Sequence, residues 1–298
     1  DWKENIIEEF GNETFLNLFK KTEGVNISPV YHNNSTNFNA DFPDEIINIQ
    51  KIDATDAKKA NKIALVALNS GANGLCFSNP NNLELLLKDI KTEYIKTDFI
   101  DTDVSFIQEL EEYCNKNILI GSLESNNSFE IKNVTKKITV NGKTVKEEIR
   151  NAFEIGKKTN GKIEFHFTIG KNFFFEIAKL RAFRILWKSQ TNQDPFITTS
   201  TSKKNQSSGV NNIFKTTTEC ISAILGGTNA LITNAHDSDY NEYNDLSSRV
   251  ARNQFNVLTQ ESHLNKVKDT GRGSYYIEYL TKEFLKEFDV NIKDSTIK

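Results

Sequence analysis

Ile46-Ile47-Asn48-Ile49-Gln50-Lys51-Ile52 is followed by a helical pattern from Asp56 and then by Gly74-Leu75-Cys76-Phe77. The first segment is rich in β-branched residues and reads as a strand. Beyond Asp56, the residues Ala60, Ile63, Ala64 and Ala67 recur on one helical face, and Gly71 supplies the stop. Gly74–Phe77 is then a second strand. Strand, helix and strand in this order form one βαβ unit.

The unit repeats outward along the chain. A helix is predicted over Asn82–Ile90, with Leu83, Leu85, Leu86 and Leu87 inside, and a strand over Tyr94–Ile100. Asp103–Tyr113 reads as the next helix and Ile118-Leu119-Ile120-Gly121 as the next strand. Further strands fall near Phe129–Val140, Ile163–Ile169, Phe196–Ser200 and Ala230–Thr233, which makes eight. Alternation of this kind implies right-handed crossovers and a parallel sheet. Eight units over about 250 residues match a (β/α)₈ TIM-type barrel, so the fold class expected is α/β. A doubly wound open sheet is the competing arrangement, and alternation does not separate the two. One unit is irregular. Where a helix is due, Lys137-Ile138-Thr139-Val140-Asn141-Gly142-Lys143-Thr144-Val145 places Asn-Gly between alternating β-branched residues. That is a hairpin signal, and it predicts a fourth crossover that is abridged or replaced by a hairpin.

Composition narrows the class further. The 298 residues are 37% apolar and 26% charged, with 37 basic and 40 acidic side chains, which describes a globular chain. A net charge of -3 argues against a phosphate-backbone binder, so no nucleic-acid partner is expected. Cys76, Cys114 and Cys220 are dispersed and form no CxxC, which predicts neither a disulfide framework nor structural zinc and fits a reducing compartment. No apolar run approaches the roughly 20 residues of a membrane helix, and the amphipathic start Asp1-Trp2-Lys3-Glu4 has no signal-peptide core. A cytoplasmic protein is therefore expected. The chain holds no methionine, so Asp1 is not read as a translation start.

The domain reading is an N-terminal arm over residues 1–40 and a barrel over residues 41–290. In the arm, Ile6, Phe10, Phe15, Leu16 and Phe19 suggest short helices broken at Gly11, followed by an extended Gly24–Tyr31.

Candidate functional residues follow from strand parity. Glu164, His166 and Thr168 share one face of a strand and Phe165 and Phe167 the other; packing the aromatics against helices turns the polar set toward the axis. Thr198, Ser200, Thr201 and Ser202, with Asn234 and His236, add small polar groups at strand C-termini, where barrel active sites are built. Two readings stay open for them: a ligand channel along the axis, or a polar core whose members satisfy one another. Asn205 lies in Lys203-Lys204-Asn205-Gln206 after strand seven, a place where barrels often bind phosphate, though a solvated loop has the same composition. No metal ligand set is expected, since His236 and Asp237 lack zinc spacing and adjacent strand-end residues point apart. The glycines of Asp269-Thr270-Gly271-Arg272-Gly273 lack the strand–helix context of a dinucleotide site. The apolar residues of Phe173–Trp187 read as a core helix, with Arg181 and Arg184 as partners for a carboxylate or a neighbouring subunit.

Asn172–Trp187 closely resembles the NFFxEIAKLRAxRxLW segment of the adenosylcobalamin-dependent methylmalonyl-CoA mutase family. The resemblance extends to Thr216–Glu219 with Ala223–Gly227, to Arg249–Gln254 with Glu261–Leu264, and to Gly273–Thr281. Thr22–Val25 with Pro29–Tyr31 is similar to the arm that precedes the family barrel. The resemblance implies a barrel whose axis is threaded by an acyl-CoA, and a radical interconversion of methylmalonyl-CoA and succinyl-CoA. It makes Thr198, Ser200, Thr201, Ser202, Asn205, Asn234 and His236 candidate substrate-binding residues.

The departures shape the functional expectation. The cobalt-ligating DxHxxG motif is absent, so no cobalamin-binding domain is expected in this chain. The fifth-strand region, read as the hairpin Ile138–Val145, lacks the family histidine, and no arginine stands shortly before Thr201-Ser202. By resemblance these losses fit the non-catalytic small subunit of a heterodimeric mutase, with no catalytic residue of its own. Its expected partner is a large catalytic subunit that supplies adenosylcobalamin. The alternative is a catalytic barrel served by a separate cobalamin-binding subunit.

Overall fold

A computed structural model describes residues 2–32, 38–203, 211–237 and 244–288. The N-terminal residues form α1 (Trp2–Asn17), kinked where Gly11 takes φ 85°, and a small hairpin of β1 (Lys20–Thr22) and β2 (Val25–Ile27). Glu23 and Gly24 both adopt positive φ at its tip, the conformation of a two-residue primed turn.

Eight strands then alternate with helices: β3 (Ile47–Asp53), α2 (Ala57–Asn69), β4 (Gly74–Ser78), α3 (Leu83–Leu86), β5 (Lys96–Ile100), α4 (Val104–Lys116) and β6 (Ile120–Leu123). There follow β7 (Val134–Thr139), α5 (Val145–Lys158), β8 (Ile163–Ile169), α6 (Phe173–Thr191), β9 (Phe196–Thr201), α7 (Asn211–Leu225), β10 (Ala230–Ile232), α8 (Asp245–Asn256) and α9 (Tyr275–Leu285). Each barrel strand pairs in parallel with its neighbour, and β10 bonds to both β9 and β3. Closure makes this a (β/α)₈ barrel and excludes the open doubly wound sheet.

Local chemistry sets the helix starts. The carboxylates of Asp56 and Asp103 accept from the N–H of Lys59 and Phe106, and the Thr144 hydroxyl from that of Glu147. Outward strand residues meet the helices: Leu75, Phe77 and Phe99 pack with Ala60, Ala64, Phe106 and Leu110. On the other side, Phe165 and Phe167 lie edge-on to Phe183, and Phe165 also to Trp187. The helix α6 is buried almost all round, its charged residues included, because α5, α7 and α9 surround it. Arg181 binds Asp269 at 2.6 Å and Glu278 at 3.0 Å and donates to the Phe38 carbonyl at 2.7 Å, so it meets carboxylates as its sequence context suggests. Arg184 has no carboxylate partner among the described residues: buried, it donates to the carbonyls of Gly227, Asp41 and Pro195 and to the Asn229 side chain.

Two elements differ from expectation. The fourth crossover is abridged, as predicted, running from β6 to β7 without a helix. The hairpin at Asn141-Gly142 does not form. β7 is already paired with β6 on one edge and β8 on the other, so a returning strand has no edge to join. Those residues instead lead into α5, and Gly142 lies so close to the Glu148 backbone that a Cβ would stand 2.7 Å from its nitrogen. The helix expected over Asn82–Ile90 is only the turn Leu83–Leu86, because Asp89 at φ 62° reverses the chain and brings Ile90 under the core.

Gly121 marks the tightest strand contact: a Cβ there would lie 1.6 Å from the carbonyl oxygen of its β5 partner Thr97. Gly121→Ala should therefore destabilise the barrel by about 3 kcal/mol or more, read from urea denaturation. A wild-type midpoint in that variant would contradict the described β5–β6 register.

Candidate functional site: the barrel axis

Alternate residues of every barrel strand face the axis. Ile49, Cys76, Ala230 and Ile232 pack together there as a small apolar group. The registers set Cys76 beside Asp98, Asp98 beside Ser122, and Lys137 beside Glu164. Lys96 shares the inward parity of Asp98.

These residues fill the axis with charge. Lys137 Nζ lies 2.8 Å from Asp98 Oδ2 and 3.1 Å from Glu164 Oε1, while Lys96 Nζ reaches Glu164 Oε2 at 2.7 Å and also bonds Asp98. The four come from β5, β7 and β8, so their ion pairs cross the barrel interior, and the most exposed side chain of the set is Lys96 at 6%. Hydroxyls complete the set: Ser122 Oγ donates to Asp98 at 2.8 Å and Thr198 Oγ1 to Glu164 at 2.7 Å. Burial alone would raise the Asp98 carboxyl, but the adjacent ammonium groups of Lys137 and Lys96 prevail and hold it below the usual carboxylate range. Burial opposes the charge on Lys137, and Asp98 and Glu164 reverse that and raise its pKa.

One layer above, toward the strand C-termini, His166 Nε2 meets Ser200 Oγ at 3.0 Å and Nδ1 meets Thr139 Oγ1 at 3.4 Å. Desolvation, reinforced by the charges of Lys137 and Lys51, pushes the imidazole down to about 3, so it is neutral at physiological pH.

Of the residues read from sequence, Thr198 sits at mid-height on Glu164, and Ser200 lies above it on His166. Thr201 has the outward parity of Ile197 and Thr199 and binds Asn234, whose N–H donates to its hydroxyl at 2.9 Å. The Ser202 N–H donates to Glu219 at 2.7 Å, and the His236 carbonyl accepts from Asn212 at 2.8 Å. Asn205 lies outside the described residues. Ser200 on β9 and Asn234, two residues beyond the end of β10, thus stand near the rim, while Thr198 is committed to the buried charges.

Sequence reading missed Lys51, Lys96, Asp98 and Lys137. The signal was available in Lys96-Thr97-Asp98: charges two apart in a strand of a parallel sheet share one face, and a face turned inward must pair them.

Outside the axis, a pocket of about 410 Å³ lies between the β8–α6 turn and α7, lined by Lys171, Phe173, Lys215, Thr218 and Glu219 among others. Among the described residues, no cluster of three or more His, Cys, Asp or Glu could hold a metal ion, and no helix is long and apolar enough to cross a membrane. His166 is a poor fit to a cobalt ligand, since both ring nitrogens already face hydroxyl partners inside the barrel.

A family model described as methylmalonyl-CoA mutase matches residues 141–295, just over half of the chain. A methylmalonyl-CoA mutase of Rhizobium meliloti is 40% identical over 152 residues, covering 46% of this chain and 21% of that protein. A methylmalonyl-CoA mutase small subunit of Porphyromonas gingivalis is 38% identical over 138 residues, covering 42% and 22% respectively. The matched segment thus spans about a fifth of each relative's length. Among solved structures, a dihydropteroate synthetase aligns over 82% of this chain and 98% of that one, with 9% identity and a TM-score of 0.45, too slight a likeness to argue from.

Removing one member of the charge cluster leaves the others buried without balance. Asp98→Asn should cost about 3–5 kcal/mol in urea denaturation, and an unchanged midpoint would contradict the pairing. His166 gives a separate pH signature. Its folded value of about 3 lies below the ordinary 6.5, so between these the unfolded chain binds the extra proton. Its contribution to stability is complete above pH 6.5 and is lost as the pH falls toward 3. The stability of the wild type relative to His166→Gln should decline across that window; parallel stability–pH curves would show that the imidazole is not held neutral.

Proposed function

The chain belongs to the methylmalonyl-CoA mutase family, and from that premise we propose that it is the small, non-catalytic subunit of a cobalamin-dependent mutase. The observation that carries the reading is the filled axis. An acyl-CoA threaded through the barrel would have to displace Lys96, Asp98, Lys137 and Glu164 from one another, leaving several charges buried without partners.

In this proposal the chain divides into an arm over residues 1–40 and a barrel over residues 41–290, and the large subunit performs the isomerisation of methylmalonyl-CoA to succinyl-CoA. Adenosylcobalamin, whose cobalt–carbon bond supplies the radical, is assigned to that partner, because His166 is turned to Ser200 and Thr139. The contribution of this chain is structural. Its α1 leaves Phe10 and Leu16 largely exposed, and these are assigned to the contact with the large subunit in the cytoplasm.

The isolated chain with adenosylcobalamin and methylmalonyl-CoA should give no succinyl-CoA, and a pull-down from the source cells should recover a larger cobalamin-binding protein that carries the activity. Turnover by the chain alone, or on mixing with only a small cobalamin-binding protein, would instead make this barrel the catalyst.

A further inference from the structure

Three Asn-Gly pairs occur in the chain, at Asn73-Gly74, Asn141-Gly142 and Asn160-Gly161. A glycine after asparagine has no β-carbon to shield its backbone nitrogen, so that nitrogen can reach the asparagine side-chain carbonyl carbon when neither group is held elsewhere. The fold treats the three pairs differently.

Asn73-Gly74 is locked into the sheet. The Asn73 side-chain carbonyl accepts from the Asn48 N–H at 2.6 Å, and the Asn73 N–H donates to the Asn48 carbonyl at 3.1 Å. Gly74 opens β4 and is buried, where a Cβ would stand 2.8 Å from Ile47 and 2.9 Å from Ile49. Asn141-Gly142 is exposed but tied on either side. The Asn141 carbonyl accepts from Asn151 Nδ2 at 2.7 Å, the Lys143 N–H donates to the Glu147 carboxylate at 2.9 Å, and Gly142 rests against the Glu148 backbone. Asn160-Gly161 joins α5 to β8, and both of its residues are exposed. Among the described residues neither makes a hydrogen bond. Gly161 has φ 88°, and beyond its chain neighbours no atom lies within 4 Å of where its Cβ would be.

We infer that Asn160 is a site of spontaneous covalent modification, converting to aspartate and isoaspartate through a cyclic imide, while the fold protects the other two pairs. The Gly161 nitrogen bonds to Asn160 Cγ and the Cγ–Nδ2 bond breaks; the departing amide group takes the proton of the Gly161 nitrogen and leaves as ammonia. Water then opens the imide. Cleavage of the new N–Cγ bond gives aspartate, and cleavage of the bond from the same nitrogen to the Asn160 main-chain carbonyl carbon gives isoaspartate. Water is the co-reactant, and nothing is oxidised or reduced. Either product puts a carboxylate into the basic run Lys157-Lys158-Thr159-Asn160-Gly161-Lys162. Isoaspartate also adds a methylene to the main chain just ahead of β8, the strand that carries Glu164 and His166. The loop has room for both changes, because its backbone is held only at its ends, by the Thr159 N–H on the Gly156 carbonyl at 3.1 Å and by the Lys162 carbonyl on the Lys136 N–H at 3.0 Å. The reaction depends neither on a cofactor nor on whether this chain is catalytic.

The test is incubation of the whole folded chain at mildly alkaline pH, where the attacking nitrogen loses its proton more readily. Peptide mapping by mass spectrometry follows the replacement of the amide NH₂ by OH at each asparagine, and enzymatic methylation of the isoaspartyl carboxylate identifies that product. Conversion is expected at Asn160, with Asn73 slower by about ten-fold or more, since that pair must first break the hydrogen bonds that hold it. In guanidinium chloride the unfolded chain should convert all three pairs at similar rates, which separates the effect of the fold from that of the local sequence. An Asn160 that stays unchanged in the folded chain but converts in the unfolded one would overturn the inference. So would conversion of Asn73 or Asn141 in the folded chain as fast as that of Asn160.

Discussion

The exchange of charge among Lys96, Asp98, Lys137 and Glu164 is the interaction on which the barrel turns. Each charge removed from water costs several kcal/mol, and the mutual attraction offsets this only if every member is in place. The geometry meets that demand, with hydroxyls of Ser122 and Thr198 taking up further acceptor positions on the two carboxylates. The consequence for folding falls on β7. That strand follows a crossover without a helix, so no preceding helix helps to fix its height. A slip by one residue would turn Lys137 outward and present Lys136 or Ile138 to Asp98 and Glu164. The ion pairs therefore select the register that the shortened crossover leaves open.

Outside the sheet, α6 plays the corresponding part. Through Arg181 it holds Phe38, the Asp269 loop and α9 at one point, so the segment entering the barrel and the last helix are tied to the same guanidinium. Lys179 bonds Glu148 of α5 and the Thr168 carbonyl of β8, joining the neighbouring wall. The helix carries its charges inward because it is surrounded on all sides, and each charge has become a joint between elements.

Much of this was legible. Strand parity in Ile163–Ile169 correctly sent Phe165 and Phe167 to the helices and Glu164 and His166 to the axis, since only one face of that strand could pack against α6. The helical patterns that begin at Asp56 and Asp103 are helices in the structure, and each aspartate caps its own. Asn141-Gly142 misled because turn chemistry is local, whereas the availability of a strand edge is a property of the closed sheet. Asn82–Ile90 misled because a run of leucines satisfies a single turn and a reversed tail as readily as a full helix.

The harder lesson concerns polar residues on a barrel axis. Thr198 and Ser200 have the composition expected of a ligand passage, yet Thr198 donates to Glu164 and Ser200 faces His166. Small hydroxyls serve equally to line water and to satisfy buried ions, so their presence cannot distinguish an open axis from a filled one. The distinguishing residues are the long ones on the same parity. A lysine reaching from β5 to a carboxylate on β8 spans the space that a ligand would need, and a second reaching from β7 to a carboxylate on β5 crosses the same space.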